Sequence, residues 1–154
     1  MRRRQFVFLK TYDLKTDEIE LRLEHTADGD EEKKWVPSYK FDICNPKGTK
    51  MGFCDLRVGY NENIYYAGNI GYTIHEEFRG HHYAAKACFL LFELARKHGM
   101  KELIITCNPD NIASAKTCER VGGELLEIVE LPMDNPMRVE DGETHKRIYR
   151  VKLI

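Results

Sequence analysis

Residues 70–84 read IGYTIHEEFRGHHYA, and the hydrophobic pattern changes its period within them. Ile70 to Ile74 is rich in β-branched and aromatic residues, which predicts a short strand. From Ala84 the apolar residues recur at intervals of three and four, which predicts a helix with one buried face from about His82 to His98. Leu103–Cys107 is again short and β-rich. The three segments together predict a βαβ unit with two parallel strands.

The segments before this unit are predicted to be mostly strands. They comprise a strand Phe6–Tyr12, a helix Thr16–Leu23, the strands Val36–Ile43 and Met51–Val58, and a polar turn Gly59–Glu62. Thr16 can cap the helix, although the alternation of Ile19, Leu21 and Leu23 also fits a strand. Asn45–Gly48 has Pro and Gly at turn positions, so the strands on either side of it are predicted to form an antiparallel hairpin.

The segments after the unit predict one more helix and a terminal hairpin. The helix begins near Asn108–Asn111, with either Asn as its cap, and ends at Val121. The strands are Glu124–Leu131 and Lys146–Leu153, and the loop Pro132–Thr144 between them has the length of a functional lid or a disordered segment. We therefore predict the α/β class, of α+β type. Its mixed, mostly antiparallel sheet contains one parallel βαβ unit and carries helices on both faces.

Length and charge restrict the class of protein. At 154 residues and 18.0 kDa, residues 1–154 are predicted to form one domain. The chain has 24 Lys and Arg against 25 Asp and Glu, which disfavours a dedicated nucleic-acid or membrane binder. Arg2–Arg4 is a local basic exception, and the apolar stretch Phe6–Leu9 after it is too short for a signal peptide or a membrane span. We expect a cytoplasmic protein.

The cysteine pattern agrees with that location. The chain has an odd number of cysteines and no close CxxC pair of the kind that zinc ribbons use, so no metal site is predicted. The five are Cys44, Cys54, Cys88, Cys107 and Cys118. We expect reduced thiols, most of them packed in the core as small hydrophobic residues.

The junction between the first strand of the βαβ unit and its helix is a candidate anion site. The first N–H groups of a helix have no intrahelical partner, and the helix dipole adds partial positive charge there. Gly80 permits close approach of the backbone to a ligand, and Arg79 can make bidentate contacts to phosphate. Many such turns bind nothing, so these residues alone leave the function open.

This junction resembles the acyl-CoA-binding motif of the GNAT superfamily of N-acetyltransferases. Its pattern is Gln/Arg-x-x-Gly-x-Gly/Ala, which Arg79 and Ala84 match at the two ends. His82 replaces the inner glycine, and a helical φ at His82 would still present its N–H. The resemblance implies acetyl-CoA as co-substrate. The residues that it assigns to the cofactor are Tyr72, Thr73, Ile74, Arg79, Gly80, His81, His82, Tyr83, Ala84, Asn111 and Ser114.

The last two of those residues belong to a second element that resembles the family. An Asn precedes a helix that ends in Lys/Arg-x-Gly, as Asn111 does here before Arg120 and Gly122. In the family this Asn typically bonds the pantetheine arm, although an ordinary N-cap is an equally simple reading of Asn111. The resemblance extends from about Met51 to the C-terminus, and the first 50 residues carry no motif.

The resemblance implies direct attack of a primary amine on the thioester in a ternary complex, with a main-chain N–H of Tyr72–Ile74 polarising the carbonyl. Glu76 and Glu77 are candidate general bases, as is Asp55, with His75 behind them. Solvated turn residues are the alternative reading of Glu76 and Glu77. Many members place a Tyr as general acid four residues before the glycine that ends the second helix. Cys118 occupies that position here, and it is either a donor thiol or a packed core residue.

The acceptor amine cannot be named from the sequence. The aromatic residues that fall in segments lining the acceptor site of this superfamily are Tyr12, Trp35, Tyr39, Tyr65 and Tyr66, which core packing explains equally well. A catalytically silent CoA-binding module is the alternative function, and the neutral charge leaves little support for an RNA-associated domain. The sequence leaves the oligomeric state open, and exposed edge strands would allow a homodimer.

Overall fold

A seven-stranded mixed sheet forms the centre of the computed structural model, which describes residues 5–153. The strands are β1 Glu20–Ala27, β2 Ser38–Cys44, β3 Lys50–Arg57, β4 Ile70–Ile74, β5 Glu102–Cys107, β6 Glu124–Glu130 and β7 His145–Lys152. They follow the order β1-β2-β3-β4-β5-β7-β6, in which only β4 and β5 are parallel. The predicted sheet, its parallel unit and both hairpins are confirmed. Arg2–Arg4 lies outside the described residues.

Helices cover both faces of this sheet, as predicted. They are α1 Glu62–Ala67, α2 Tyr83–Lys97, α3 Ile112–Arg120 and α4 Pro136–Asp141, and a 3-10 turn, Glu76–Phe78, follows β4. In β5 the buried Ile105 and Cys107 belong to the core cluster together with residues of α2 and α3, whereas Thr106 points the other way and donates to Tyr66 O of α1 at 2.8 Å. Because side chains alternate along a strand, α1 lies on the face opposite to α2 and α3.

The main core lies between the sheet and α2. Its fully buried side chains include Tyr39 and Phe41 of β2 and Leu91 and Leu94 of α2. All five cysteines are buried and none forms a disulfide, which confirms their predicted role as small core residues. No helix within residues 5–153 is long and apolar enough to cross a membrane.

Two predictions for the N-terminal segment are wrong. Residues 6–12 form no strand; Phe6 and Phe8 pack against the core, and the Leu9 N–H donates to Tyr39 Oη at 2.8 Å. The predicted helix at Thr16 is absent because the period-two pattern prevails and β1 pairs with β2. Thr16 Oγ1 instead accepts from two nearby N–H groups in a turn that leads into β1.

Two short helices lie in segments that were predicted to be a turn and a loop. The turn after β3 continues into α1, which Asn61 caps, and the predicted loop Pro132–Thr144 contains α4, which Asn135 caps. Each helix has only six residues, too few to produce a helical period in the sequence. The cap of α3 is Asn111, since Asn108 Oδ1 accepts from Lys146 Nζ at 2.7 Å instead.

Candidate functional site

The two parallel strands separate into an open wedge. Their ladder consists of the single pair Ile70↔Ile105 at the start of β4, while the ladder between β3 and β4 continues to the pair Gly52↔Ile74. Beyond Ile70, β4 therefore has a neighbour on one edge only. The wedge opens towards the carboxyl ends of both strands, next to the start of α2 and α3.

The register of β4 decides which main-chain groups face this wedge. The His75 N–H donates to Met51 O at 2.8 Å, and Asn69 O accepts from β3 at 2.7 Å, so the odd-numbered residues of β4 turn their polar groups towards β3. Tyr72 and Ile74 consequently turn theirs towards β5. Three residues were predicted to polarise the thioester carbonyl through a main-chain N–H. The main-chain groups of Tyr72 and Ile74 face the wedge, whereas those of Thr73 face β3.

The turn before α2 contains an unusual backbone conformation. Gly80 has φ +93°, and His82, which occupies the N-cap position of α2 without a capping hydrogen bond from its side chain, has φ +61° and ψ +27° in the left-handed region. The expectation of a right-handed helical φ at His82 is wrong. Left-handed φ favours glycine, which is the residue that the GNAT motif usually has at this position. His82 thus keeps the conformation of the motif without its usual residue.

Replacing His82 by glycine is expected to relieve this strain. A non-glycine residue in the left-handed region costs about 1–2 kcal/mol, and the conformational entropy that a glycine loses on folding offsets part of the gain. The matched control is His81→Gly, because His81 is also exposed and does not have a positive φ. Urea denaturation should find His82→Gly more stable than His81→Gly by about 1–2 kcal/mol. Equal stability of the two variants would contradict a strained His82.

Positive side chains flank the same turn. Arg79 Nε donates to Ile74 O at 3.0 Å, which places the exposed guanidinium at the end of β4. Lys86 Nζ, which the sequence motif did not reveal, donates to His81 O at 3.2 Å beside the same turn, and its charge is paired with Glu18. Together with the free N–H groups of the first turn of α2, this donor set suits a ligand that carries phosphate groups.

A buried polar cluster joins β4 to α3. Tyr72 Oη lies 2.7 Å from Ser114 Oγ and 3.9 Å from Cys118 Sγ. Cys118 is fully buried, and a hydrogen bond with Cys107 together with desolvation raises the pKa of its thiol. Desolvation also raises the pKa of Tyr72. Both groups therefore stay protonated at neutral pH. Asn111 Oδ1 caps α3 by accepting from the Ser114 N–H at 3.1 Å.

Asp55 is a partly buried carboxylate beside β4. Its carboxylate accepts from the Gly71 N–H, and its Oδ2 pairs with Arg57 Nε at 3.0 Å. Desolvation raises the pKa of Asp55 against the opposing effect of Arg57. Glu76 and Glu77, by contrast, lie exposed in the 3-10 turn. Asp55 is thus the carboxylate that the fold holds in place beside β4.

Comparison with known proteins identifies a matching family. A family model described as an acetyltransferase (GNAT) domain matches residues 2–124. No curated protein sequence matches the chain significantly. The match extends further towards the N-terminus than the motifs do.

Solved structures have the same fold. A GNAT-family acetyltransferase from Bacillus anthracis is 15% identical with TM-score 0.59, over 74% of this chain and 66% of that one. The microcin self-immunity acetyltransferase MccE, solved with acetyl-CoA and AMP, is 20% identical with TM-score 0.57, over 75% and 61%. An acetyl transferase from Salmonella typhimurium that modifies the N-terminal serine of a ribosomal protein is 17% identical with TM-score 0.57, over 79% and 66%. The matched part of each is therefore slightly less than two thirds of its length.

Proposed function

The chain belongs to the GNAT acetyltransferase family, and from this we propose that it transfers the acetyl group of acetyl-CoA to a primary amine. One observation carries the proposal: the wedge between β4 and β5 opens beside a cationic helix start that keeps the left-handed turn of the motif. A closed sheet would lack the wedge, and a right-handed His82 would lack the turn of the motif.

We assign the cofactor to the wedge and the start of α2. The pyrophosphate is bound by the N–H groups of the first turn of α2, with Arg79 supplying positive charge. The pantetheine arm lies along the unpaired edge of β4, where Tyr72 and Ile74 present their main-chain groups. Asn111 contributes at the start of α3 through its amide Nδ2, because its Oδ1 is used by the cap.

The reaction that we propose is direct transfer. The amine nitrogen attacks the thioester carbonyl carbon, and the C–S bond breaks with release of CoA thiolate. An acceptor amine is mostly protonated at neutral pH, so protons must leave the nitrogen before and during attack. We propose Asp55 as the base in preference to Glu76 and Glu77, because it is fixed beside β4 and its raised pKa brings it closer to the working pH.

Cys118 and Tyr72 act on the departing sulfur in this proposal. Both stay protonated, so each stabilises the thiolate as a hydrogen-bond donor rather than by losing its proton. Cys118→Ala or Tyr72→Phe should lower kcat roughly 10-fold, less than the 10²–10³-fold typical of losing a single donor, because the other donor remains. Cys44→Ala, a buried cysteine on β2, is the control for loss of a core thiol. Unchanged turnover in both site variants would remove the pair from the mechanism.

Two measurements test the function itself. Acetyl-CoA at about 100 times its Kd should raise the unfolding free energy by roughly 2.7 kcal/mol, seen as a thermal shift of several degrees. Release of free thiol on mixing with a panel of amines then separates an enzyme from a silent CoA-binding module. Absence of a thermal shift would exclude both the acetyltransferase and the CoA-binding module. A thermal shift without thiol release from any amine would support the silent CoA-binding module.

A further inference from the structure

We propose that a cavity on the α1 face of the sheet binds an uncharged apolar group of the acceptor, so that the acceptor is a primary amine attached to an aromatic or branched aliphatic group. This inference rests on the proposed acetyl transfer and adds the substrate class. It assigns a binding site to a part of the fold that the cofactor motifs do not include.

The cavity has the size and lining of a small-molecule site. Its volume is about 310 Å³, within the usual range for ligand pockets. Four parts of the chain form it: the connection between β1 and β2, the end of β3, α1 and the start of α4. Most of its lining is apolar, and the side chains that matter for the argument are Trp35, Ile64, Ala67 and Met137.

Trp35 is held at this cavity although most of it is exposed. It is 60% exposed, which is uncommon for a large aromatic side chain, and Lys33 Nζ lies 4.7 Å from its ring centroid. Two main-chain bonds with Asp30, both 2.9 Å, fix the backbone of Trp35. Asn61 Nδ2 donates to Lys34 O at 2.9 Å and ties the preceding residue to α1. The backbone that carries the indole ring is therefore fixed at the cavity, and Lys33 lies over one face of the ring.

The cavity leads towards the proposed base. Arg57 lines it and pairs with Asp55 at 3.0 Å, and both side chains lie on the face of β3 opposite to the buried Cys54 and Leu56. An apolar group in the cavity would thus leave the adjacent amine on the same face as the Asp55 carboxylate. This arrangement supports one ligand that spans both places.

The charges at the cavity disfavour a second cation on the acceptor. Arg57 supplies a positive charge at the inner side and donates to Ala67 O and Gly68 O at 3.2 and 2.9 Å. Asp28 and Lys34, which have opposite charges, also line the cavity. A polyamine or an aminoglycoside would place an additional ammonium near the Arg57 guanidinium, and the Asp55 carboxylate beside it is already paired with Arg57. A monoamine with an apolar body meets no such penalty.

Trp35 provides the direct test, since it is the only tryptophan of the chain. Its fluorescence is titrated with 2-phenylethylamine, ethylamine and 1,4-diaminobutane in the presence of CoA, so that no turnover is needed. We expect 2-phenylethylamine to give a saturable change at a concentration at least 10-fold lower than the other two, because only it buries an aromatic ring. Equal responses to the three amines, or a tighter response to the diamine, would overturn the proposal.

Two pairs of variants localise the response. Ala67→Phe fills the cavity and should weaken binding of 2-phenylethylamine at least 10-fold, whereas Val139→Phe adds the same ring to an exposed position of α4 outside it and should leave binding unchanged. If Ala67→Phe does not fold, Met137→Ala and Val139→Ala are compared instead. Met137→Ala changes a side chain that lines the cavity and should weaken binding, whereas Val139→Ala changes one outside it and should not. Unchanged binding in the cavity variants would overturn the proposal.

The acetyl-CoA thermal shift and thiol release are read separately from this titration. A shift and thiol release with ethylamine, without selective binding of 2-phenylethylamine, would overturn the cavity assignment and leave the proposed acetyl transfer intact. Selective binding that Ala67→Phe abolishes would support the cavity even where no acetyl-CoA shift is found, and the proposed transfer alone would then fail.

Discussion

Asp55→Asn is expected to lower kcat/KM for acetyl transfer by about 10²–10⁴-fold, the usual contribution of a positioned general base. Asparagine has nearly the same shape and can still accept from the Gly71 N–H, so the main change is loss of proton affinity at this position. The variant also leaves Arg57 without its charged partner, although its bonds to Ala67 O and Gly68 O remain. The measurement is the rate of thiol release at subsaturating amine.

The pH profile gives a second readout. A base must be deprotonated to act, so kcat/KM should rise with pH through the pKa of Asp55. Because desolvation raises this pKa, the acidic limb should lie above the ordinary aspartate value of about 3.9. In Asp55→Asn this limb should disappear. Retention of the same limb in the variant would show that another group is the base.

Asp42→Asn is the matched control. Asp42 lies on the same face of the sheet, on β2, and pairs with Lys50 at 3.2 Å. Its loss removes a surface ion pair, which contributes little, so turnover should change less than about twofold. Normal acetyl-CoA thermal shifts in both variants would show that the fold and the cofactor site are intact. If Asp55→Asn is fully active and Glu76→Gln or Glu77→Gln is not, the base lies in the 3-10 turn instead.

The parts of the fold that the sequence predicts are those with a long or regular pattern. The buried face of α2 extends over four turns, and β4 was predicted with its correct bounds because turn residues lie on both sides. The six-residue helices α1 and α4 could not be predicted from periodicity, although Asn61 and Asn135 are typical caps. At Thr16 two local signals competed, and pairing with β2 decided the outcome.

The candidate site also contains a part that the sequence predicts and a part that it does not. Motif residues that act through the local backbone, such as Gly80 and His82, can be located in the sequence, although the left-handed φ at His82 was not predicted from it. Contacts between segments that are distant in the chain cannot be predicted in this way. Asp55 meets Gly71 and Tyr72 meets Cys118 only because β4 pairs with β3 and packs against α3. Trp35 likewise reaches α1 and α4 only through the fold.

Gly52→Ala is expected to destabilise the protein by roughly 3–5 kcal/mol. Gly52 faces Ile74 across the β3–β4 ladder, where a Cβ would lie 2.1 Å from Thr73 O and 3.0 Å from Ile74 Cα. Both contacts are with backbone, so no rotamer change can relieve them. The strand that carries the wedge would have to move. For a domain of this size the midpoint of thermal unfolding should fall by about 10 °C or more.

Gly99→Ala separates this clash from the general cost of replacing a glycine. Gly99 has φ +78° and nothing within 4 Å of a Cβ, so alanine there meets only backbone strain of about 1–2 kcal/mol. Gly52 does not have a positive φ, and alanine at such a position would stabilise by restricting the unfolded chain if space allowed. A larger loss for Gly52→Ala therefore measures the close approach of β3 to β4. A loss no larger than that of Gly99→Ala would mean that β4 can shift freely, and an edge that shifts freely could not hold the Tyr72 and Ile74 groups in a fixed position for a thioester.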